Sequence, residues 1–155
     1  MFLPESTTQR LRCQHGSIAI LIEGRDQEKL RRRPSPEKWS IVENIAHLSA
    51  YQQVFGQRVK GILTGENPLI SRYVGDQDPF FLEAREQPLD DLLVDLSADR
   101  QYLYEWLDSL DSGQLSRKAT HPVYGSRSLL MWTEFFLLHE AHHCNTIWKL
   151  TEDNS

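Results

Sequence analysis

An all-α fold, a four-helix bundle, is predicted by three observations. Four long stretches repeat their apolar residues at helical spacing, and none alternates like a strand. Residues 61 to about 87 form one long connection, while the other connections are short. Short loops force antiparallel neighbours, whereas a long one lets the next helix start from the other end. Helices two and three are therefore expected to run parallel, in an up-down-down-up order.

The first helix is expected over about Ser6 to Glu23, with Leu11, Ile18 and Ile22 on one stripe and Gly24 as its stop. His15 falls on the same stripe. The second opens at Ser40, where Ser40 and Glu43 form an S-x-x-E capping box, and runs to about Lys60. The third opens after Pro88 and carries Leu89, Leu92, Leu93, Leu96, Leu103, Leu107 and Leu110 on its apolar stripe. The fourth covers about Ser128 to Leu150, with Trp132, Phe136, Ile147 and Leu150 in register, and the polar tail Thr151 to Ser155 is expected to fray.

Composition narrows the function classes. The chain has 155 residues, 39% hydrophobic and 25% charged, which suits one soluble domain. A net charge of -5 speaks against nucleic acid, because phosphate binding needs clustered excess Lys and Arg. The run Arg31-Arg32-Arg33 reads as a solvated loop. Cys13 and Cys144 are too few and too far apart for a redox pair or a disulfide framework. The start, Met-Phe-Leu-Pro-Glu-Ser, has no charged segment followed by an apolar one, and no apolar run approaches the ~18 residues of a membrane span. A cytoplasmic location away from membranes is the expectation.

The chemistry concentrates in His139-Glu140-Ala141-His142-His143. Residues four apart on a helix lie one above the other, so His139 and His143 can point at one ion. Both share the stripe of Trp132, Phe136, Ile147 and Leu150, and hence face inward. His142 belongs with Asn145 and Lys149 on a polar flank. A lone inward histidine is usually a hydrogen-bonded core residue. Two at ligand spacing, with His47 on the apolar face of helix two, point instead to a divalent metal. Three neutral imidazoles leave open positions for water or substrate, and suit Zn, Ni or Fe.

His139-Glu140-x-x-His143 also matches the H-E-x-x-H zinc protease pattern, in which the Glu is general base. Only twelve residues follow His143, and no strand is available to hold an extended peptide, so a protease is not expected. Glu43, one turn before His47, is a candidate to orient a ligand, although its cap competes. Glu140 is expected to face solvent, and would serve only if turned inward. Asp99-Arg100 interrupts the leucine stripe of helix three. It forms either a surface ion pair or an inward Arg100 that binds a substrate anion. Arg100, Glu43 and Glu140 are the catalytic candidates. Trp39, Trp106, Trp132 and Trp148 read as packing anchors, as do Phe135 and Phe136. His15 reads as a helix-one residue rather than a fourth ligand, and His121 as an exposed turn residue. Cys144 is expected to point away from the ion, ~100° around the helix from His143.

Two segments carry a resemblance that extends over nearly the whole chain. Lys38-Trp39-Ser40-Ile41-Val42-Glu43 leads to His47, and His121-Pro122-Val123-Tyr124-Gly125 precedes the helix bearing His139 and His143. In these the chain resembles the DinB/YfiT-like family of metal-dependent enzymes, four-helix bundles of up-down-down-up topology. The resemblance implies that His47, His139 and His143 bind the metal. Members commonly carry Gln three residues after the last ligand, where this chain has Thr146. It also implies a small-molecule reaction, since some members resemble thiol S-transferases and others an isomerase or hydrolases. The expected partner is a small-molecule substrate, with a low-molecular-weight thiol among the options. The competing expectation is a metal-binding or stress-associated bundle without catalysis. The abundance of tryptophan and phenylalanine is compatible with a homodimer.

Overall fold

A proline opens the first helix, where its missing N–H takes no bond away. The structure, a computed structural model, describes residues 2–153. Pro4 precedes α1, Glu5–Cys13; one 3₁₀ turn over Gln14–Gly16 follows, then α2, Ser17–Ile22. The single first helix expected from the periodicity is thus broken. Gly16 is the poorest helix former in it, and the Ser17 hydroxyl donates to the Gln14 carbonyl at 2.8 Å. A short α3, Gln27–Arg31, is capped by Asp26, whose side chain accepts from the Glu28 and Lys29 amides.

The capping box forms as expected and starts α4, Ile41–Thr64, one turn longer than the periodicity indicated. The long connection that follows is not bare loop. It contains a 3₁₀ turn, Gly75–Gln77, and α5, Pro79–Ala84, which is capped by Asp78. Next come α6, Leu89–Asp108, and the single-turn α7, Ser112–Leu115. A hairpin of β1, Lys118–His121, and β2, Gly125–Ser128, pairs Lys118 with Ser128 and His121 with Gly125. No strand was expected here, because four-residue strands are too short to show alternation. Gly125 takes φ +73° at the turn, a conformation that favours glycine. Finally α8, Leu129–Asp153, carries the helix through Thr151, so the tail frays less than expected. The rest of that expected tail, Asn154 and Ser155, lies outside the described residues.

Helix directions follow from which halves share a core. Leu3 and Leu11 pack with Tyr51, Phe55 and Val59, with Leu103 and Leu107, and with Trp132 and Phe136. At the other end Ile18 and Ile22 pack with Ile41 and Ile45, Leu92 and Leu96, and Ile147 and Leu150. The first half of α4 therefore meets the first half of α6 but the second half of α8. The α1–α2 segment runs parallel to α8, and α4 runs parallel to α6. This is the up-down-down-up order that the long connection requires. Among the described residues no helix is long and apolar enough to cross a membrane.

Between the two apolar clusters the chain places a polar layer. Arg100 is 1% exposed and Glu140 2%, and their side chains form a two-bond ion pair. Arg100 Nε donates to Gln52 Oε1 at 2.8 Å, and Gln52 Nε2 donates onward to the Leu96 carbonyl at 2.9 Å. Gln14 Nε2 donates to Glu140 Oε1 at 3.0 Å and to the Leu137 carbonyl at 2.9 Å. The pair corrects one sequence expectation and decides between two alternatives. Glu140 is not in solvent, and Arg100 turns inward rather than forming a surface pair with Asp99. The reason is that α8 is covered by both α2 and α4. Its buried face therefore spans Thr133, Leu137 and Glu140 as well as the histidine stripe. Trp148 is also corrected: it is 52% exposed and anchors nothing in the core, unlike Trp132.

Two buried charges are costly unless each neutralises the other. Glu140→Gln should therefore lower stability by about 3–5 kcal/mol, since it leaves Arg100 charged and buried. Urea unfolding would measure the loss. The double variant Arg100→Met/Glu140→Leu should regain most of it, because no orphan charge remains.

Candidate metal centre

Two helices supply the three expected ligands. The capping box fixes the start of α4, which places His47 two turns in, among Ile45, Ala46 and Leu48. The helix α8 crosses it antiparallel and presents His139 and His143 from successive turns. One ring nitrogen from each of His47, His139 and His143 lies within 4.8 Å of the others. His47 Nε2 and His139 Nε2 face each other at 3.0 Å. The rings of His47 and His143 are 4.4 Å apart, and those of His139 and His143 4.7 Å.

One tautomer follows from the hydrogen bonds. Asn44 Nδ2 donates to the Ser40 carbonyl at 2.9 Å, which turns its Oδ1 toward His143. His143 Nδ1 then donates to Asn44 Oδ1 at 2.9 Å, leaving its Nε2 lone pair free. The Nδ1 atoms of His47 and His139 are buried without a partner among the described residues. Burial, reinforced by neighbouring imidazoles, holds all three rings neutral. It brings His47 down to about 2, His139 to about 3 and His143 to about 4. Three neutral imidazoles with converging nitrogens are a donor set that fits a divalent metal ion.

Aromatic walls surround the histidines. Tyr51 stands 4.1 Å from the His139 ring, and Trp39 stands 4.9 Å from the His47 ring. Tyr73, from the long connection, lies 5.7 Å from His47. Trp39 Nε1 donates to Asp76 Oδ1 at 2.9 Å, tying this wall to the connection. A Cβ at Gly75 would come 2.7 Å from the Trp39 ring, so only glycine lets the connection approach this closely.

The remaining sequence candidates distribute as follows. Glu43 does not orient His47, since its oxygens accept from the Ser40 amide at 2.8 Å and from Arg33 at 2.6 Å. Asn44 takes the orienting role, and sequence reasoning missed it. The available signal was an amide on the buried face of an apolar helix, three residues before His47. Glu140 turns away from the histidines toward Arg100, so the H-E-x-x-H pattern supplies no general base here. Arg100 turns inward, yet Glu140 and Gln52 occupy its guanidinium. His142 is exposed. His15 meets Arg100 at 3.4 Å and stands outside the triad. Cys144 lies 3.8 Å from the Ser17 hydroxyl, on the side of α2. His121 is buried rather than exposed, because its Nδ1 accepts from the Val123 and Tyr124 amides and so draws the ring into the hairpin turn.

The comparisons with known proteins agree with this architecture. The chain resembles YuaE of Bacillus subtilis (strain 168), described as an uncharacterized protein, at 27% identity over 143 residues. That alignment covers 84% of this chain and 88% of the relative. Its fold matches YfiT from Bacillus subtilis with a TM-score of 0.83 at 19% identity, over 96% of this chain and 86% of the other. YfiT is described as a probable metal-dependent hydrolase with an unusual four-helix bundle topology. The family model for the DinB superfamily matches residues 13–147, and this chain belongs to that superfamily.

Proposed function

We propose that the protein is a metal-dependent enzyme acting on a small molecule, with a divalent ion held by His47, His139 and His143. The observation that supports this most is the convergence of three neutral imidazoles within 4.8 Å, with no carboxylate in the cluster. The description of YfiT as a probable metal-dependent hydrolase accords with it. Zn, Ni and Fe all accept such donors. A bound divalent ion would supply Lewis acidity and would lower the pKa of a water or thiol that it binds.

The protein's own residues define what else the site does. Asn44 holds the His143 tautomer, while Trp39, Tyr51 and Phe81 exclude water around the rings. Glu43 and Glu140 are both committed to arginines, so neither is free to serve as base. This favours reactions whose nucleophile is itself acidified, namely hydrolysis by water or transfer of a low-molecular-weight thiol. The same commitment supports a second reading, a stress-associated bundle that holds metal without catalysis. Turnover in a screen of thiols and electrophiles, dependent on both metal and substrate, separates the two.

The purified protein should carry about one equivalent of divalent metal per chain. His47→Ala, His139→Ala and His143→Ala should each weaken binding by orders of magnitude in chelator competition, since water replaces an imidazole. His142→Ala should keep nearly all of it. Tight binding that survives His143→Ala would contradict the site.

Stability of the metal-free protein should depend on pH through the same residues. Their folded pKa values of about 2, 3 and 4 lie below the ordinary histidine value of about 6.5. Below that ordinary value the unfolded chain binds protons that the folded chain refuses. Stability is therefore complete above about pH 6.5 and falls as pH drops from there toward about 4. Urea midpoints across this range should decline in the wild type more steeply than in His47→Ala. Parallel curves would contradict the assignment.

A further inference from the structure

We propose that Arg58 binds a carboxylate at the far end of the small molecule whose reacting end faces the three histidines. This rests on the metal-centre reading above.

Arg58 lies on α4 eleven residues after His47, three turns further along nearly the same face. Helical side chains lean back toward the helix start, and Arg58 Nη1 reaches the Tyr51 hydroxyl at 2.9 Å. The Tyr51 ring in turn stands 4.1 Å from the His139 ring. One aromatic side chain therefore spaces the guanidinium from the histidines.

The charge of Arg58 is unanswered. Arg10, Arg33, Arg85 and Arg100 each pair with a glutamate, but no carboxylate pairs with Arg58 among the described residues. Its acceptors are neutral, the Tyr51 oxygen and the Ser71 carbonyl, the latter at 3.1 Å from Nη2. A guanidinium has five N–H groups, so donors remain for a ligand. Half-buried, it faces a cleft of about 300 Å³. Arg58, Arg72, Gln57, Ser71 and Tyr73 line that cleft, with Ile70 as an apolar wall. Such a volume suits a small ligand. In a chain of net charge -5, two arginines without an acid among the lining residues mark this cleft for an anion. A carboxylate matches the guanidinium fork by accepting two parallel hydrogen bonds. The anion-binding role that the sequence offered to Arg100 thus falls to Arg58, whose guanidinium no glutamate occupies.

The test uses the full chain loaded with Co(II), whose thiolate charge-transfer band reports thiol binding at the metal. It is titrated with 6-mercaptohexanoate and with neutral 6-mercaptohexanol, and again with the three-carbon acid and alcohol. For at least one chain length the acid should bind about ten-fold tighter than the alcohol, the size expected of one charge-assisted contact. The advantage should shrink with added salt. It should vanish in Arg58→Gln and persist in part in Arg58→Lys, with cobalt content and alcohol affinity unchanged. Equal binding of acid and alcohol by the wild type at both lengths overturns the proposal, whatever the variants do. So does an acid preference that survives Arg58→Gln. Failure of the chain to take up cobalt would instead overturn the metal-centre reading, and this assignment with it. Cobalt uptake with no thiolate band from either class of thiol overturns this assignment alone.

Discussion

A guanidinium and a carboxylate buried in a helical bundle can only be neutralised by each other, and this requirement orients α8. Glu140 must meet Arg100 on α6, and Gln14 on the 3₁₀ turn holds it there. Neighbouring helical positions differ by about 100° in direction. Once Glu140 points toward Arg100, His139 has one direction left, toward α4 and His47. His143, one turn on, follows it to Asn44. The ion pair and the histidine cluster are thus two faces of one rotational setting. The polar layer combines stability and chemistry without sharing residues between them.

The long connection then completes what the helices begin. A parallel pair of helices requires the chain to travel back along the bundle, and this path passes the histidines. The glycine at 75 and the Trp39–Asp76 bond bring the connection against His47. Tyr73 and Phe81 add aromatic surface from the same segment. Topology therefore supplies one wall of the site, and that wall comes from the part of the chain with the weakest periodic pattern.

What the sequence disclosed follows from this division. The helix starts, the parallel middle pair and the inward histidines were legible, because each is written in local spacing. Ser40 with Glu43, the 61–87 gap and the four-residue step from His139 to His143 are such signals. The positions of Glu140 and Arg100 were not legible. A stripe argument assumes one buried face per helix, and α8 has a broader one because α2 covers it as well. Asn44, Arg58 and Tyr73 were missed for a related reason. Their roles depend on what lies opposite, which periodicity does not encode. Trp148 shows the converse error, a large apolar residue whose position on the helix leaves it in water.

The antiparallel crossing of α4 and α8 has a consequence for how the site comes into being. His47 and His139 are 92 residues apart, and Asn44 and His143 are 99 apart. Contacts of such span form after local helices, because a long loop must close first. During synthesis, the His47 half exists long before its partners leave the ribosome. The order of events on the ribosome therefore keeps the three imidazoles of the nascent chain apart. The wait ends only when the last helix docks.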